Sequence, residues 1–239
     1  MEKIPDSIAL IPGRGVGPET TRVVSMIVDA TNPNFAWDIF DGEAYAEEGD
    51  KIVFTPEAIE FIKAHKVALC GPAYAQPYGF EDGKPQRLHE SVSRGCADSF
   101  GFDSYVEIFN GESVLEGERA LEAFNNDCEV FASSYALCAS ASIGEEYAVF
   151  ETGQQADADI AGMDISNPCS LILAVGLMLN FLAENERAAA VLNAAWYVLQ
   201  RIGMPYDFTW QATGELEGAL KLEDFALTII GVIQNPPRK

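Results

Sequence analysis

The chain opens with a short apolar run, Ser7 to Ile11, that ends in Pro-Gly and reads as a buried strand. Pro18 suits a first helical turn, and Thr21 to Ala30 continues as a helix. Phe35 to Phe40 alternates as a strand. Thr55-Pro56-Glu57 pairs an N-cap with Pro at the first helical position and opens a helix to about Ala64. Val67 to Cys70 is a further short strand, closed by Gly71-Pro72. This alternation of strand and helix predicts an α/β fold with a mainly parallel sheet flanked by helices.

Further along, Tyr74 to Arg87 reads as a loop, Ser91 to Phe100 as a helix and Tyr105 to Phe109 as a strand. Ser113 to Phe124 reads as a helix and Cys128 to Ala132 as a strand. Asn167 followed by Pro168 is a helix start, and the helix body Ser170 to Leu182 is apolar almost all round, which places it in the core. Glu186 to Arg201 carries Ala188, Val191, Leu192, Ala195 and Leu199 on one face. Leu222 to Ile233 is the last helix. No internal repeat or low-complexity segment interrupts the chain.

Composition narrows the function classes. Of 239 residues, 48% are hydrophobic, which suits a globular core; the net charge is -22, which repels phosphate backbones and argues against nucleic-acid binding. The longest apolar run, Leu171 to Leu179, is too short for a bilayer, which needs about 20 residues. The N-terminus, MEKIPDS, is neither basic nor apolar. Cys70, Cys96, Cys128, Cys138 and Cys169 are odd in number and lack CxxC spacing, so buried reduced thiols and a cytoplasmic setting are expected. His65 and His89 are the only histidines, each read as ordinary surface or helix-end polarity. The acidic trio Asp157, Asp159 and Asp164 lacks calcium-loop spacing and reads as a solvated loop.

Two motifs are specific. Gly13, Gly15 and Gly17 lie between a strand and a helix within IALIPGRGVGPE; their spacing is not the GxGxxG of dinucleotide-binding folds. The second motif, Phe150 to Pro168, reads FETGQQADADIAGMDISNP. Together they resemble the isocitrate/isopropylmalate dehydrogenase family of β-decarboxylating dehydrogenases, whose patterns are PGDGIGPE and FEPVHGSAPDIAGKGIANP. Phe150, Glu151, Asp159, Ile160, Ala161, Gly162, Ile165, Asn167 and Pro168 match without a gap, while Arg14 stands on the family's Asp and Gln154-Gln155 on its His-Gly pair. The resemblance implies a family-like large domain over residues 1–239. It implies nucleotide contact, with NAD or NADP as cofactor, from Gly71, Pro72, Glu151, Gln154, Asp159 and Asn167. Asn167 is equally explained as a helix cap.

The same resemblance marks what is absent. The substrate pattern SxNxxxRKxxxLYANxRP lies over Ser91 to Ile108. Ser91 is kept, Ser93 replaces Asn, Ala97 falls on the first substrate Arg and Glu107 on the Arg of Arg-Pro. Family substrates are malate-type carboxylates held by guanidinium forks. Ser91, Ser93 and Arg94 are therefore a substrate-side remnant, with Arg87 and Arg94 the nearby cations. The family's metal helix, GDxxSD, fits two alignments. One puts Glu122 and Asn126 on the Asp positions; the other, preferred here, takes Cys128 to Ser134 as the strand before that helix. Neither keeps the Asp pair, so no divalent metal is expected. The family chain is longer by roughly a hundred residues, the size of a small domain. Its second domain, which carries the catalytic Tyr and Lys and forms the dimer, is expected to be largely deleted, with residues 110–127 as a short helical bypass.

Three functions remain. The first is a pseudoenzyme that binds a small molecule or a protein partner. The second is an enzyme of altered chemistry, still linked to NAD(P), with His89, Glu90, Glu151 and Gln154 lining a new site. The third is a dehydrogenase completed by a partner chain, which Ala97 and Glu107 disfavour. A homo-oligomer would need a surface other than the family's, and Phe100, Phe102, Tyr105 and Phe109 are the apolar candidates for it.

Overall fold

The computed structural model describes residues 5–75, 78–81, 84–135, 137–205 and 219–237, with backbone only for 78–81 and 84–87. The strands are β1 (Ser7–Ile11), β2 (Ala36–Ile39), β3 (Tyr45–Glu48), β4 (Lys51–Phe54), β5 (Val67–Cys70), β6 (Tyr78–Glu81) and β7 (Lys84–Arg87). Four more follow: β8 (Phe102–Phe109), β9 (Glu112–Glu116), β10 (Ala139–Gly144) and β11 (Ala148–Thr152). The helices are α1 (Gly17–Asp29), α2 (Pro56–His65), α3 (Val92–Gly95), α4 (Ala97–Phe100) and α5 (Ala120–Ala123). They continue with α6 (Asn126–Tyr135), α7 (Cys169–Phe181), α8 (Asn185–Arg201) and α9 (Leu222–Gln234).

A seven-stranded sheet of order β2-β1-β5-β11-β10-β8-β9 organises the molecule. The first four strands are mutually parallel, and the joins β11–β10, β10–β8 and β8–β9 are antiparallel. The fold is thus α/β with a mixed sheet flanked by helices. β1 and β5 lie inside its parallel half, where every residue of β5 is buried. A strand covered on both faces needs this continuous apolar run rather than alternation. The antiparallel β8 does alternate, with Phe102, Ser104, Val106 and Ile108 buried.

The core on one face centres on α7. Its residues from Leu171 to Asn180 are all buried, as an all-round apolar sequence requires. Gly176 lets α8 approach: a Cβ there would lie 2.8 Å from Leu192 Cδ1. The one amide in this stretch, Asn180, is satisfied: it donates to the Ala123 carbonyl at 3.3 Å and accepts from Asn125 Nδ2 at 3.2 Å. That pair fastens the α5–α6 segment to the core. All five cysteines are buried and none forms a disulfide, and burial pushes the Cys128 thiol up to about 12.

Several local expectations change. Ser113 to Phe124 is not one helix but strand β9, a turn at Gly117 and the short α5. Asn110 and Gly111 both take positive φ and close a β8–β9 hairpin, which holds the Ser-Val-Leu run in the sheet. Residues 110–127 therefore include strand as well as helix. Cys128 to Ala132 lies in helix α6, not a strand. Cys128, Phe131, Ala132 and Tyr135 recur at helical spacing on its buried face, and Asn125 Oδ1 accepts from Cys128 N at 3.1 Å. The alignment that rested on a strand there is overturned. Ser91 to Phe100 is two short helices parted at Cys96. The expected loop Tyr74 to Arg87 contains the β6–β7 hairpin, and its residues 76, 77, 82 and 83 lie outside the described residues. Phe100 and Phe102 are buried in the protein's own core, which removes them as an oligomer face. Exposed apolar side chains nearby are Val114, Leu121 and Val130. Among the described residues no helix is long and apolar enough to cross a membrane.

The glycine turn after β1 is an interlock. Gly15 has φ +55°, and a Cβ on it would sit 2.3 Å from the Ala156 carbonyl oxygen. Gly162, in the same loop region, has φ +77° with nothing within 4 Å of a Cβ. Gly15→Ala should therefore cost more than about 3 kcal/mol by urea denaturation, and Gly162→Ala only the left-handed backbone cost of about 1–2 kcal/mol. Equal losses would show that the close approach at Gly15 is not limiting.

Candidate functional site

The carboxyl ends of β1, β5 and β11 lie side by side, the edge at which open α/β sheets bind ligands. The chain direction across the sheet reverses between β1 and β5. That crevice is filled by backbone. A Cβ on Gly13 would lie 2.7 Å from the Gly71 carbonyl carbon, and one on Gly71 would lie 2.2 Å from the Pro12 oxygen. Arg14 N donates to the Pro72 carbonyl at 2.7 Å. The glycines thus serve contact between two turns. Arg14 itself turns outward, donating to the Tyr45 carbonyl at 3.0 Å and approaching Glu47 at 3.4 Å.

One strand along, an open pocket lies against β5, β11 and the start of β10. Gly71, Ser91, Glu151 and Gln154 line it, together with His89 and Glu90. Tyr74 and His89 form one wall, stacked 4.5 Å apart with planes 5° from parallel. Phe109, Cys138, Ser140 and Thr152 complete much of the rest. The described lining contains no Lys or Arg. The side chain of Arg87 lies outside the described residues.

Glu151 is the centre of the polar floor. It is only 5% exposed, and its Oε2 accepts from Ser93 N at 3.0 Å and from Ser93 Oγ. Ser93 Oγ also meets Ser142 Oγ at 2.7 Å. A buried carboxylate is tolerable when donors surround it in this way. Its influence extends into the core. Burial pushes the Tyr45 hydroxyl and the Cys70 thiol well up, and the charge of Glu151 pushes both further in the same direction.

The other sequence candidates are dispersed. Arg94 points away from the pocket: it donates to Glu116 at 2.9 Å, lies 3.8 Å from Glu107 and stacks on Tyr105 at 4.5 Å. Asp159 is exposed, and its N–H donates to Asp157 Oδ1 at 3.2 Å. Asn167 Oδ1 accepts from Cys169 N at 3.0 Å, so its amide oxygen caps the start of α7. Pro72 belongs to the interlocked turns. Glu122 and Asn126 are both exposed. Among the described residues no group of three or more His, Cys, Asp or Glu side chains is placed to hold a metal ion. Of the residues that the resemblance assigns to cofactor contact, Gly71, Glu151 and Gln154 share the pocket, while Pro72, Asp159 and Asn167 lie outside its lining. Sequence reasoning missed Ser140, Ser142 and Thr152; their alternation along β10 and β11 was the available signal. It also missed Glu19, which accepts from Gly162 N at 2.9 Å and Ser166 Oγ at 3.1 Å and so ties the first motif to the second.

Residues 126–221 match the model of the isocitrate/isopropylmalate dehydrogenase family, a match that begins at the first residue of α6. The isocitrate/homoisocitrate dehydrogenase of Thermus thermophilus is 40% identical over 79 residues, which is 33% of this chain and 24% of that protein. The homoisocitrate dehydrogenase of Methanocaldococcus jannaschii is 26% identical over 113 residues, 47% of this chain and 30% of that one. The chain thus spans under a third of the curated relatives it matches. Among solved structures, an isocitrate dehydrogenase from Methylococcus capsulatus superposes with a TM-score of 0.66 at 16% identity, covering 96% of this chain and 99% of that chain. A second solved structure, of a Thermus thermophilus protein, gives 0.65 at 18% identity, covering 98% of this chain and 69% of that one.

Removing Glu151 should leave Ser93 N buried without its acceptor. Glu151→Ala is expected to cost about 2–3 kcal/mol in urea denaturation, and Glu151→Gln, which keeps an acceptor, clearly less. Asn167→Ala should cost about 1 kcal/mol, the value of a lost cap. A neutral Glu151→Ala would show that Ser142 and water satisfy Ser93 unaided.

Proposed function

The chain is a divergent member of the isocitrate/isopropylmalate dehydrogenase family, and we propose that it binds a small molecule without carrying out oxidative decarboxylation. The observation that carries this reading is the fate of the substrate segment. Ala97 and Glu107 stand on the family's arginine positions, and the nearby cation Arg94 is held by Glu116 and Glu107 rather than facing the pocket. Among the described lining residues, carboxylate substrates would meet Glu90 and Glu151 and no guanidinium fork. Electrostatic stabilisation is usually the largest catalytic contribution, and a single lost donor costs about 10²–10³ in rate. In this reading residues 1–239 are one domain. Residues 110–127 stand where the family inserts its second domain, in keeping with a family match that starts at Asn126.

The test is an assay of purified protein with isocitrate, isopropylmalate or tartrate, with NAD or NADP, in the presence and absence of Mg²⁺. No turnover is expected. Thermal-shift screening against nucleotides, carboxylates and other small molecules should give stabilisation by a compound outside the family's substrates, about 2.7 kcal/mol at a hundredfold excess over Kd. Turnover that disappears on Glu151→Ala would overturn the proposal in favour of an NAD(P)-linked oxidoreductase.

A further inference from the structure

Between two buried residues, Ala156 and Ser166, the chain crosses the surface without helix or strand. None of residues 157–165 is buried, and Met163 is 57% exposed. The backbone bonds inside this segment are local turns: Ala161 N donates to the Ala158 carbonyl at 3.4 Å and Met163 N to the Ile160 carbonyl at 3.1 Å. Few buried contacts and exposed backbone bonds mark a region that opens at low cost. Its two ends are firm. Ala156 N donates to the Tyr74 carbonyl at 2.8 Å, and the Ala156 carbonyl lies against Gly15. Ser166 is fully buried and precedes Asn167, the cap of α7.

Two carboxylates hold the middle of the segment down. Glu19, in the first turn of α1, accepts from Gly162 N at 2.9 Å. Asp164 takes a left-handed conformation, φ +60°, and faces the start of α9. Its carbonyl accepts from Leu222 N and its Oδ1 from Glu223 N, each at 2.9 Å. The first N–H groups of a helix have no partner within it, and a negative charge there also meets the positive end of the helix dipole. Lys221, the residue before α9, supplies no side-chain cap, so Asp164 caps that helix from a distant part of the chain. Arg22 of α1 reaches Glu223 at 3.3 Å, so α1, the segment and α9 meet at one junction.

We infer that residues 157–165 form a strap that opens as one unit about Ala156 and Ser166, latched by Glu19 on α1 and by Asp164 on the start of α9. Gly162 and Asp164 are one residue apart and both have positive φ. A backbone rotation that withdraws one from its latch therefore carries the other with it. Opening breaks the bonds to Glu19 and α9 and relieves the left-handed conformation of Asp164. It leaves the first turn of α9 uncapped. The strap starts two residues after Gln154 of the pocket wall, so the Ala156 hinge joins the pocket to the last helix.

The experiment is amide hydrogen exchange of the full chain, followed residue by residue by NMR under conditions where reclosing outruns exchange. The Gly162, Leu222 and Glu223 amides should share one opening equilibrium, and the Leu177 amide in α7 should be far better protected. Glu19→Ala should speed exchange of all three at least about tenfold, although Leu222 and Glu223 do not touch Glu19. Asp164→Gly, which keeps the left-handed backbone and removes the carboxylate, should speed Gly162 by a similar factor. Asp159→Asn removes one charge from the strap without touching a latch and should change none of them. Leu177 should keep its rate in every variant. Acceleration of Gly162 alone in Glu19→Ala overturns the inference, because the strap is then not a unit. An equal effect in Asp159→Asn overturns it in favour of general charge relief, and acceleration of Leu177 by the same factor overturns it in favour of global unfolding.

Discussion

Three turns meet at the carboxyl edge of the sheet at distances that no side chain beyond glycine permits. Gly13 abuts Gly71-Pro72, Gly15 abuts Ala156, and Gly17 and Gly71 both close on the Pro12 carbonyl. This interlock fixes the ends of β1, β5 and β11 relative to one another. The position of Glu151 at the end of β11, beside Cys70 on β5, follows from it. So does the loop Gly153 to Pro168, which leaves β11, passes Gly15 at Ala156 and is held by Glu19 through Gly162 and Ser166. The sheet edge that forms the pocket is thus set by backbone contact before any polar side chain contributes.

This accounts for why the glycines of the first motif are held to their positions. A glycine needed only for a phosphate is free to change once the phosphate is gone. One whose Cβ would lie 2.3 Å from a carbonyl oxygen is not. The charges on β8 and β9 have no such backbone constraint. Glu107 in place of an arginine would be an uncompensated acid on β8. It is met by Arg94 from α3, which also takes Glu116 from β9. These pairs are partly exposed and worth roughly a few tenths of a kcal/mol to stability. Their consequence is mainly directional, since they hold Arg94 on β8 and β9, outside the pocket lining.

The sequence was most legible where one physical signal dominated. The apolar runs of β1 and β5 and the all-round apolar α7 could hardly sit elsewhere than in the core. His89, Glu90, Glu151 and Gln154, singled out as polar groups near the two motifs, all line one pocket. The stretch from Ser113 to Ala132 was misread at both ends for one reason. Short apolar runs carry too few periods to separate strand from helix. Val114 and Leu115 were settled by pairing with β8, and Cys128 to Tyr135 by packing of a helical face against α7 and α8. Neither partner can be read from the local sequence. Arg94 was misplaced for a related reason: proximity in sequence to Ser91 and Ser93 says nothing about which face of a four-residue helix a long side chain leaves by.

The Ser93–Glu151 pair shows how a retained scaffold can change its chemistry without losing its shape. Position 93 in the family pattern is an Asn, which offers both a donor and an acceptor; the serine here presents its hydroxyl to Glu151 and Ser142 together. Glu151 therefore holds α3 to the sheet from within the pocket floor. Truncating that side chain would leave Ser93 N buried without its acceptor, so structural need favours a hydrogen-bond acceptor at this place in the pocket floor whatever the ligand.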